Sequence, residues 1–112
     1  MKAEKLKGHL DLLLLSVLSR GPGHGYEVIT RLKVRSDGAF QLPEGTVYPA
    51  LHRLERAGLL ASQWQGDTKR RRRVYELTEQ GRDVLDEHRR DWQRFSEGVE
   101  AVLQELGERW RV

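Results

Sequence analysis

The amino-acid sequence predicts a mainly α-helical fold that carries one small β-hairpin and ends in a long helix. Apolar residues recur at the spacing of one helix face in three successive stretches, and again from Leu85 to Trp110. Between the third and the fourth of these stretches, two short segments flank a polar turn, and the second segment alternates apolar with charged residues. Helices followed by a hairpin and a final helix are therefore expected.

Composition is typical of one folded domain. The chain has 112 residues, of which 33% are charged and 38% hydrophobic. Its 20 Lys and Arg exceed its 17 Asp and Glu by only three charges, so the distribution of charge is more informative than the sum. Five basic residues stand in a row at 69–73, here called the basic run, whereas the segment after Asp83 is rich in acids. Cysteine is absent, which excludes a disulfide framework and thiolate chemistry.

The lysine-rich start and the apolar run at 12–18 have a superficial likeness to a secretory signal. Asp11 and Ser16 interrupt the apolar residues, and no small-residue cleavage site follows. The run is also much shorter than the roughly 20 residues that a membrane helix needs. We therefore expect a cytoplasmic protein that does not bind membranes.

The first helix is predicted to be buried on more than one side, because leucines at 12 and 15 widen its apolar stripe. That stripe consists of Leu10, Leu13, Leu14, Val17 and Leu18. The segment "SRGPGHG" then ends the helix, and a shorter second helix begins near Tyr26. The pair is interpreted as helix, tight turn, helix.

A third helix is predicted from about Gly45 to Gly58. With Gly45 or Thr46 as the N-cap, Pro49 would lie in the first turn, where backbone N–H groups have no partner within the helix. Gly58 occupies the usual position after a helix C-terminus. The face opposite the apolar stripe is expected to meet an external partner, and it carries Tyr48, His52, Arg53 and Arg56.

The two segments at 59–65 and 72–78 are predicted to pair as a β-hairpin with the basic run at its tip. Arg73, Tyr75 and Leu77 should share one face of the second strand. Trp64, at the end of the first strand, is expected to pack in the core. A solvated loop is the alternative interpretation of the basic run.

Thr78 is a suitable N-cap for the final helix. Beyond it, large apolar residues follow a nearly heptad spacing that would be costly to expose, so the helix should pack on the first helix and on a second copy of the chain. The predicted dimer interface consists of Leu85, Trp92, Phe95, Val99, Val102, Leu106 and Trp110. We expect one folded unit at residues 1–78, followed by a dimerisation helix at 79–112.

Three helices followed by a basic hairpin are in the order of a winged helix-turn-helix, whose third helix fits the major groove of DNA. The stretches "HGYEVITRL", "LPEGTVYPALHRLERAGLL", "SQW" and "RRRRVYELTEQGRDVL" resemble, in order and spacing, the PadR family of transcriptional regulators. The resemblance covers about residues 7–85. It implies a homodimeric repressor that binds an inverted-repeat operator in double-stranded DNA and is released or modulated by a small-molecule effector or another signal.

The third helix is then the recognition helix, and the hairpin is the wing. The candidate DNA-binding residues are Lys5, Lys7, Tyr26, Thr46, Tyr48, Pro49, His52, Arg53, Lys69, Arg70, Arg71, Arg72 and Arg73. Trp92 and Phe95 are expected in the dimer core first. The resemblance implies a second role for Trp92, as a platform on which an aromatic effector stacks, with Phe95 beside it.

Two other classes of function remain open at this stage. Asp83, Glu87 and Asp91 follow one helix face with His88 adjacent, a pattern that could hold a metal. We favour the other interpretation, a solvated face with ion pairs to Arg90 and Arg94. No metalloprotease motif, phosphate-binding glycine loop or nucleophile motif is present, so we expect no enzyme activity and no cofactor. The second class is a winged helix that binds protein, which would have little use for five adjacent cations.

Overall fold

A computed structural model of the protein describes residues 8–110, and the side chains of residues 8–104. The helices within this range are α1 (Leu10–Leu18), α2 (Gly25–Arg35), α3 (Glu44–Arg56) and α4 (Glu79–Trp110). The strands are β1 (Gly23–His24), β2 (Leu60–Gln65) and β3 (Arg72–Leu77). The predicted fold class, mainly α with a small hairpin and a long last helix, is confirmed.

The sheet has one more strand than the sequence indicated. Its order is β1-β3-β2, with both neighbouring pairs antiparallel. In the hairpin, Ser62 lies opposite Tyr75 and Trp64 opposite Arg73, while His24 of β1 lies opposite Val74. A strand of two residues inside a Gly- and Pro-rich turn has no periodicity of its own, so only the folded chain reveals it.

The core lies between α1, α2, α3 and the base of the hairpin. The apolar stripes of the helices converge there, and Leu15, Val28, Val47 and Leu51 are completely buried. Tyr75 enters the core from β3, and its burial raises the pKa of its hydroxyl. The predicted alternation of β3 is confirmed, because Tyr75 points inward while its neighbour Glu76 is exposed.

Helix α3 begins earlier than the sequence indicated, so the predicted place of Pro49 is wrong. The N-cap is Pro43, whose carbonyl accepts hydrogen bonds from the N–H groups of Thr46 (3.0 Å) and Val47 (3.1 Å). Pro49 is consequently inside the helix, beyond the first turn, and cannot donate to the carbonyl of Gly45. The carbonyl of Gly45 therefore has no i+4 hydrogen-bond donor in the helix, and Gly45 itself is exposed.

Gly58 and Thr78, the residues predicted to end α3 and to begin α4, are confirmed in these places, and a hydrogen bond joins them. Gly58 has a φ of 81°, and the N–H of Leu59 reaches back to the carbonyl of Leu54 at 3.0 Å, as in a Schellman motif. The hydroxyl of Thr78 accepts from the N–H of Gly81 at 2.9 Å and donates to the carbonyl of Gly58 at 2.7 Å. Thr78 therefore caps α4 and also ties it to the end of α3.

Helix α4 has 32 residues and packs against α1. Leu85 is only 3% exposed and belongs to the core of its own protomer, so its predicted place in a dimer interface is wrong. Farther along, Trp92, Phe95, Val99 and Val102 are exposed at the helix surface. The predicted interface residues Leu106 and Trp110 have side chains outside the described residues. None of the described helices combines the length and the apolar character needed to cross a membrane.

Candidate nucleic-acid interface

A groove of about 940 Å³ lies between the start of α2, the side of α3 and the hairpin. It brings together six of the predicted DNA-binding residues, which are Tyr26, Tyr48, His52, Arg71, Arg72 and Arg73. Three of these side chains are aromatic or imidazole rings and three are guanidinium groups. The groove thus combines flat, partly polar surfaces with positive charge, the combination that contacts nucleic-acid bases and phosphates.

Tyr48 is held in the groove wall by its packing on α2. It is half-buried, and a Cβ atom added to Gly25 would overlap its ring. The glycine at the start of α2 is therefore what allows the ring to lie there. Tyr48 therefore packs against the start of α2 and also lines the groove. Sequence reasoning missed Gly25, since a glycine beside "GPGH" is explained well enough by a turn.

The outermost side of α3 carries Gly45, Pro49, His52 and Arg56, spaced by four, three and four residues and all exposed. Of these, His52 also faces the groove. Arg56 stands on the same side, one turn farther along. This exposed ridge is the part of α3 that a DNA groove could accommodate.

Arg53 faces the other flank of α3 and does not line the groove. Its guanidinium forms a two-pronged ion pair with the Asp11 carboxylate of α1, with Nη1 3.1 Å from Oδ2. The hydrogen bonds to Asp11 raise the pKa of Arg53. Thr46 and Pro49 also lie outside the groove, and Lys5 and Lys7 fall outside the described residues.

The wing presents part of the basic run directly to solvent. Gly66, with a φ of 98°, and the Asp67 carboxylate, which accepts from the N–H groups of Lys69 and Arg70 at 3.1 Å, form the turn. Within residues 8–104, the side chains of Lys69, Arg70 and Arg71 form no hydrogen bond or ion pair. The guanidinium of Arg71 does lie over the ring of Trp64, 5.1 Å from its centroid.

Trp64 is 54% exposed, so its predicted place in the core is wrong. Leu60, Ser62 and Trp64 share one face of β2, but only Leu60 is buried. The strand extends beyond the helices after Ser62, and an inward-facing position there no longer reaches a core. The indole lines the groove instead, beside Arg71 and Arg73.

Arg72 points toward the start of α2, where His24 is the N-cap. His24 Nδ1 accepts from the N–H of Glu27 at 3.3 Å, while the Glu27 carboxylate accepts from the N–H of His24 at 3.1 Å. That backbone hydrogen bond is the main cause of the lowered pKa of Glu27, and the charges of His24, Arg31 and Arg72 add to it. Arg72 Nη1 lies 3.2 Å from His24 Nε2, so the wing contacts the N-cap residue of α2.

A second cavity of about 280 Å³ lies between the start of α1 and the middle of α4. It contains both predicted effector-binding residues, with the ring centroids of Trp92 and Phe95 6.0 Å apart and His9 edge-on to Trp92 at 5.2 Å. His88 and Asp91 also line it. Among the residues whose side chains are described, no three His, Asp or Glu are grouped closely enough to hold a metal ion.

The helical body, the exposed ridge of α3 and the cationic hairpin beside it define a winged helix-turn-helix protein. A family model described as the transcriptional regulator PadR-like family matches residues 14–87. The chain belongs to this family.

Similar proteins span almost the whole chain. A transcriptional regulator from Clostridium thermocellum has a TM-score of 0.81 at 28% identity, over 88% of this chain and 96% of that one. A PadR family transcriptional regulator from Eggerthella lenta has a TM-score of 0.75 at 36% identity, over 89% and 86%. The transcriptional regulator YqjI of Escherichia coli is 32% identical over 94 residues, which are 84% of this chain but 44% of YqjI.

Proposed function

We propose that this protein is a repressor that binds an inverted-repeat operator in double-stranded DNA as a homodimer. The observation that supports this most directly is the groove, where Tyr48 and His52 of α3 meet Arg71 and Arg72 of the wing. In this arrangement the ridge of α3 enters the major groove and reads base edges, while the wing neutralises phosphates beside it. The amino-terminal Lys5 and Lys7 add contacts to the backbone.

The dimer forms through α4, with residues 1–78 as the DNA-binding unit and 79–112 as the dimerisation helix. Trp92 is 45% exposed, Phe95 60% and Val102 64%, and a continuous apolar stripe of this kind is costly to leave in water. Pairing of two α4 helices covers it. Two recognition helices related by twofold symmetry would then enter successive major grooves, about 34 Å apart, which requires a nearly palindromic site.

Selection of bound duplexes from a random DNA pool, at near-physiological salt and with the mass of the protein measured in the same sample, tests this function. We expect a dimer that enriches a palindromic sequence. A dimer that enriches no sequence and releases DNA at moderate salt would contradict the proposal. It would favour the alternative function, a winged-helix adaptor that binds protein.

Relief of repression is assigned to an aromatic small molecule bound at Trp92 and Phe95. The cavity that both rings line supports this assignment, because it adjoins the apolar stripe on which the second copy would pack. Titration with planar aromatic compounds should change tryptophan fluorescence and release the operator over the same concentration range. Trp92→Leu should abolish both changes while DNA binding without ligand persists. Operator release that is unaffected by this substitution would argue against the site.

A further inference from the structure

One carboxylate lies under the cationic wing. Glu55 is in the last turn of α3, where a negative charge is disfavoured by the helix dipole, and it is close to the surface that the proposed function gives to DNA phosphates. A carboxylate in this place is unfavourable for the stability of the helix, and its charge also repels a polyanionic partner. Its contacts indicate what it does there.

Glu55 is held by one residue from each strand of the wing. The hydroxyl of Ser62, on β2, donates to Glu55 Oε2. Arg73, on β3, places Nη2 3.2 Å from Oε1 and 3.3 Å from Oε2 of the same carboxylate. Arg73 Nε also donates to the Ser62 hydroxyl at 2.7 Å, which closes a triangle of three side chains. The Ser62 hydrogen bond and then the Arg73 guanidinium lower the pKa of Glu55, so the carboxylate is charged at neutral pH.

The register of the hairpin extends this triangle into the wing. Arg73 lies directly opposite Trp64, and its guanidinium is 5.6 Å from the centroid of the indole ring. Arg71 lies over the same ring at 5.1 Å. A continuous set of contacts thus runs from Glu55 through Arg73 and Trp64 to Arg71, which has no ion-pair partner among residues 8–104.

We infer that Glu55, Ser62 and Arg73 are positioning residues that fix the wing against the recognition helix, and that Arg73 does not contact DNA. The inference rests on the proposed DNA binding. The recognition helix and the wing strengthen each other's binding only when the distance between them matches the distance between their two sites on the duplex. A wing fixed to the last turn of α3 meets phosphates while α3 is in the groove, and a loosened wing does so only part of the time.

Glu55→Gln distinguishes positioning from simple repulsion by the sign of its effect. If Glu55 were only a negative charge near DNA, its neutralisation would tighten binding to every duplex. Positioning predicts that the selected duplex is bound roughly tenfold more weakly, while binding to random DNA is unchanged or slightly tighter. Ser62→Ala, which leaves both charges in place, should shift the ratio of specific to random binding in the same direction. It also supplies the test if Glu55→Gln does not fold.

Arg73→Gln and Arg70→Gln form a matched pair within the basic run. Removing a cation that contacts phosphate reduces the magnitude of the slope of log affinity against log salt concentration by about 0.9. On random DNA, where binding does not depend on the position of the wing relative to α3, we expect that loss for Arg70→Gln and an unchanged slope for Arg73→Gln. On the selected duplex, Arg73→Gln should weaken binding. The double variant Glu55→Arg with Arg73→Glu restores an ion pair in the opposite sense and should recover part of the specific affinity.

The wild-type chain is measured first on its selected duplex, and failure to find such a duplex counts against the proposed function. Given that duplex, two results would each overturn the positioning role. One is tighter binding of Glu55→Gln to specific and random DNA alike. The other is a fall in the salt slope on random DNA for Arg73→Gln equal to that for Arg70→Gln.

Discussion

Replacing Arg70, Arg71 and Arg72 together with alanine is expected to weaken binding to every duplex, by on the order of a hundredfold at physiological salt. Three lost phosphate contacts lower the salt slope by about 2.7, and the affinity falls accordingly at any salt concentration below the molar range. Arg70 and Arg71 have no side-chain ion pair within residues 8–104, so their charge is available to DNA. Binding isotherms over a series of salt concentrations, on the selected duplex and on random DNA, measure both quantities.

His52→Ala is the contrasting variant for this experiment. His52 lies on the exposed ridge of α3, where it would face base edges instead of phosphates. Its replacement should change which sequences are preferred and leave the salt slope nearly constant. Equal losses on specific and random DNA for both the wing and the helix variants would contradict this division of roles.

Gly81→Ala is expected to lower the free energy of unfolding by about 3 kcal/mol, because overpacking against fixed backbone cannot be relieved by a change of rotamer. A Cβ atom at Gly81 would overlap the carbonyl oxygen of Leu59 and lie 2.8 Å from Leu77 Cδ1. The first turn of α4 approaches the connection between α3 and β2 too closely for any side chain. Thermal denaturation should show a midpoint lower by roughly 10–20 °C.

Gly98→Ala is the matched control in the same helix. An added Cβ there meets nothing within 4 Å, and Gly98 is exposed. Alanine should stabilise the helix interior by up to about 1 kcal/mol. The two substitutions therefore have opposite expected signs, and a stabilising Gly81→Ala would show that α4 is not seated against Leu59.

Local patterns in the sequence were sufficient to predict most of the fold. The apolar spacing predicted the helices, alternation predicted β3, and Gly58 and Thr78 marked real caps. The predictions for Trp64 and Leu85 were wrong because the burial of these two side chains is decided by tertiary packing and not by the local pattern. Trp64 continues the inward face of β2 past the end of the core, and Leu85 continues the seam of α4 into the core of the protomer. The periodicity of one strand or helix cannot show where the core begins or ends along it, because that depends on where the neighbouring elements end.

The candidate site was predicted as a set of residues but not as an arrangement. A sequence shows the cations and cannot show which of them already have a carboxylate partner. Arg53 pairs with Asp11, 42 positions away, and Arg73 pairs with Glu55, 18 positions away. These two arginines are therefore engaged within the protein, whereas Arg70 and Arg71 form no ion pair within the described side chains, 8–104.

The ion pair between Asp11 and Arg53 makes α1 a shared component of two surfaces. Asp11 stands between His9 and Leu12, which form part of the wall of the cavity beside Trp92. One turn of a helix rises only about 5.4 Å and moves as a stiff unit. The start of α1 therefore carries residues of the cavity wall together with the carboxylate that pairs with Arg53 of the recognition helix. A displacement of this turn on occupation of the cavity would also displace the Asp11 carboxylate.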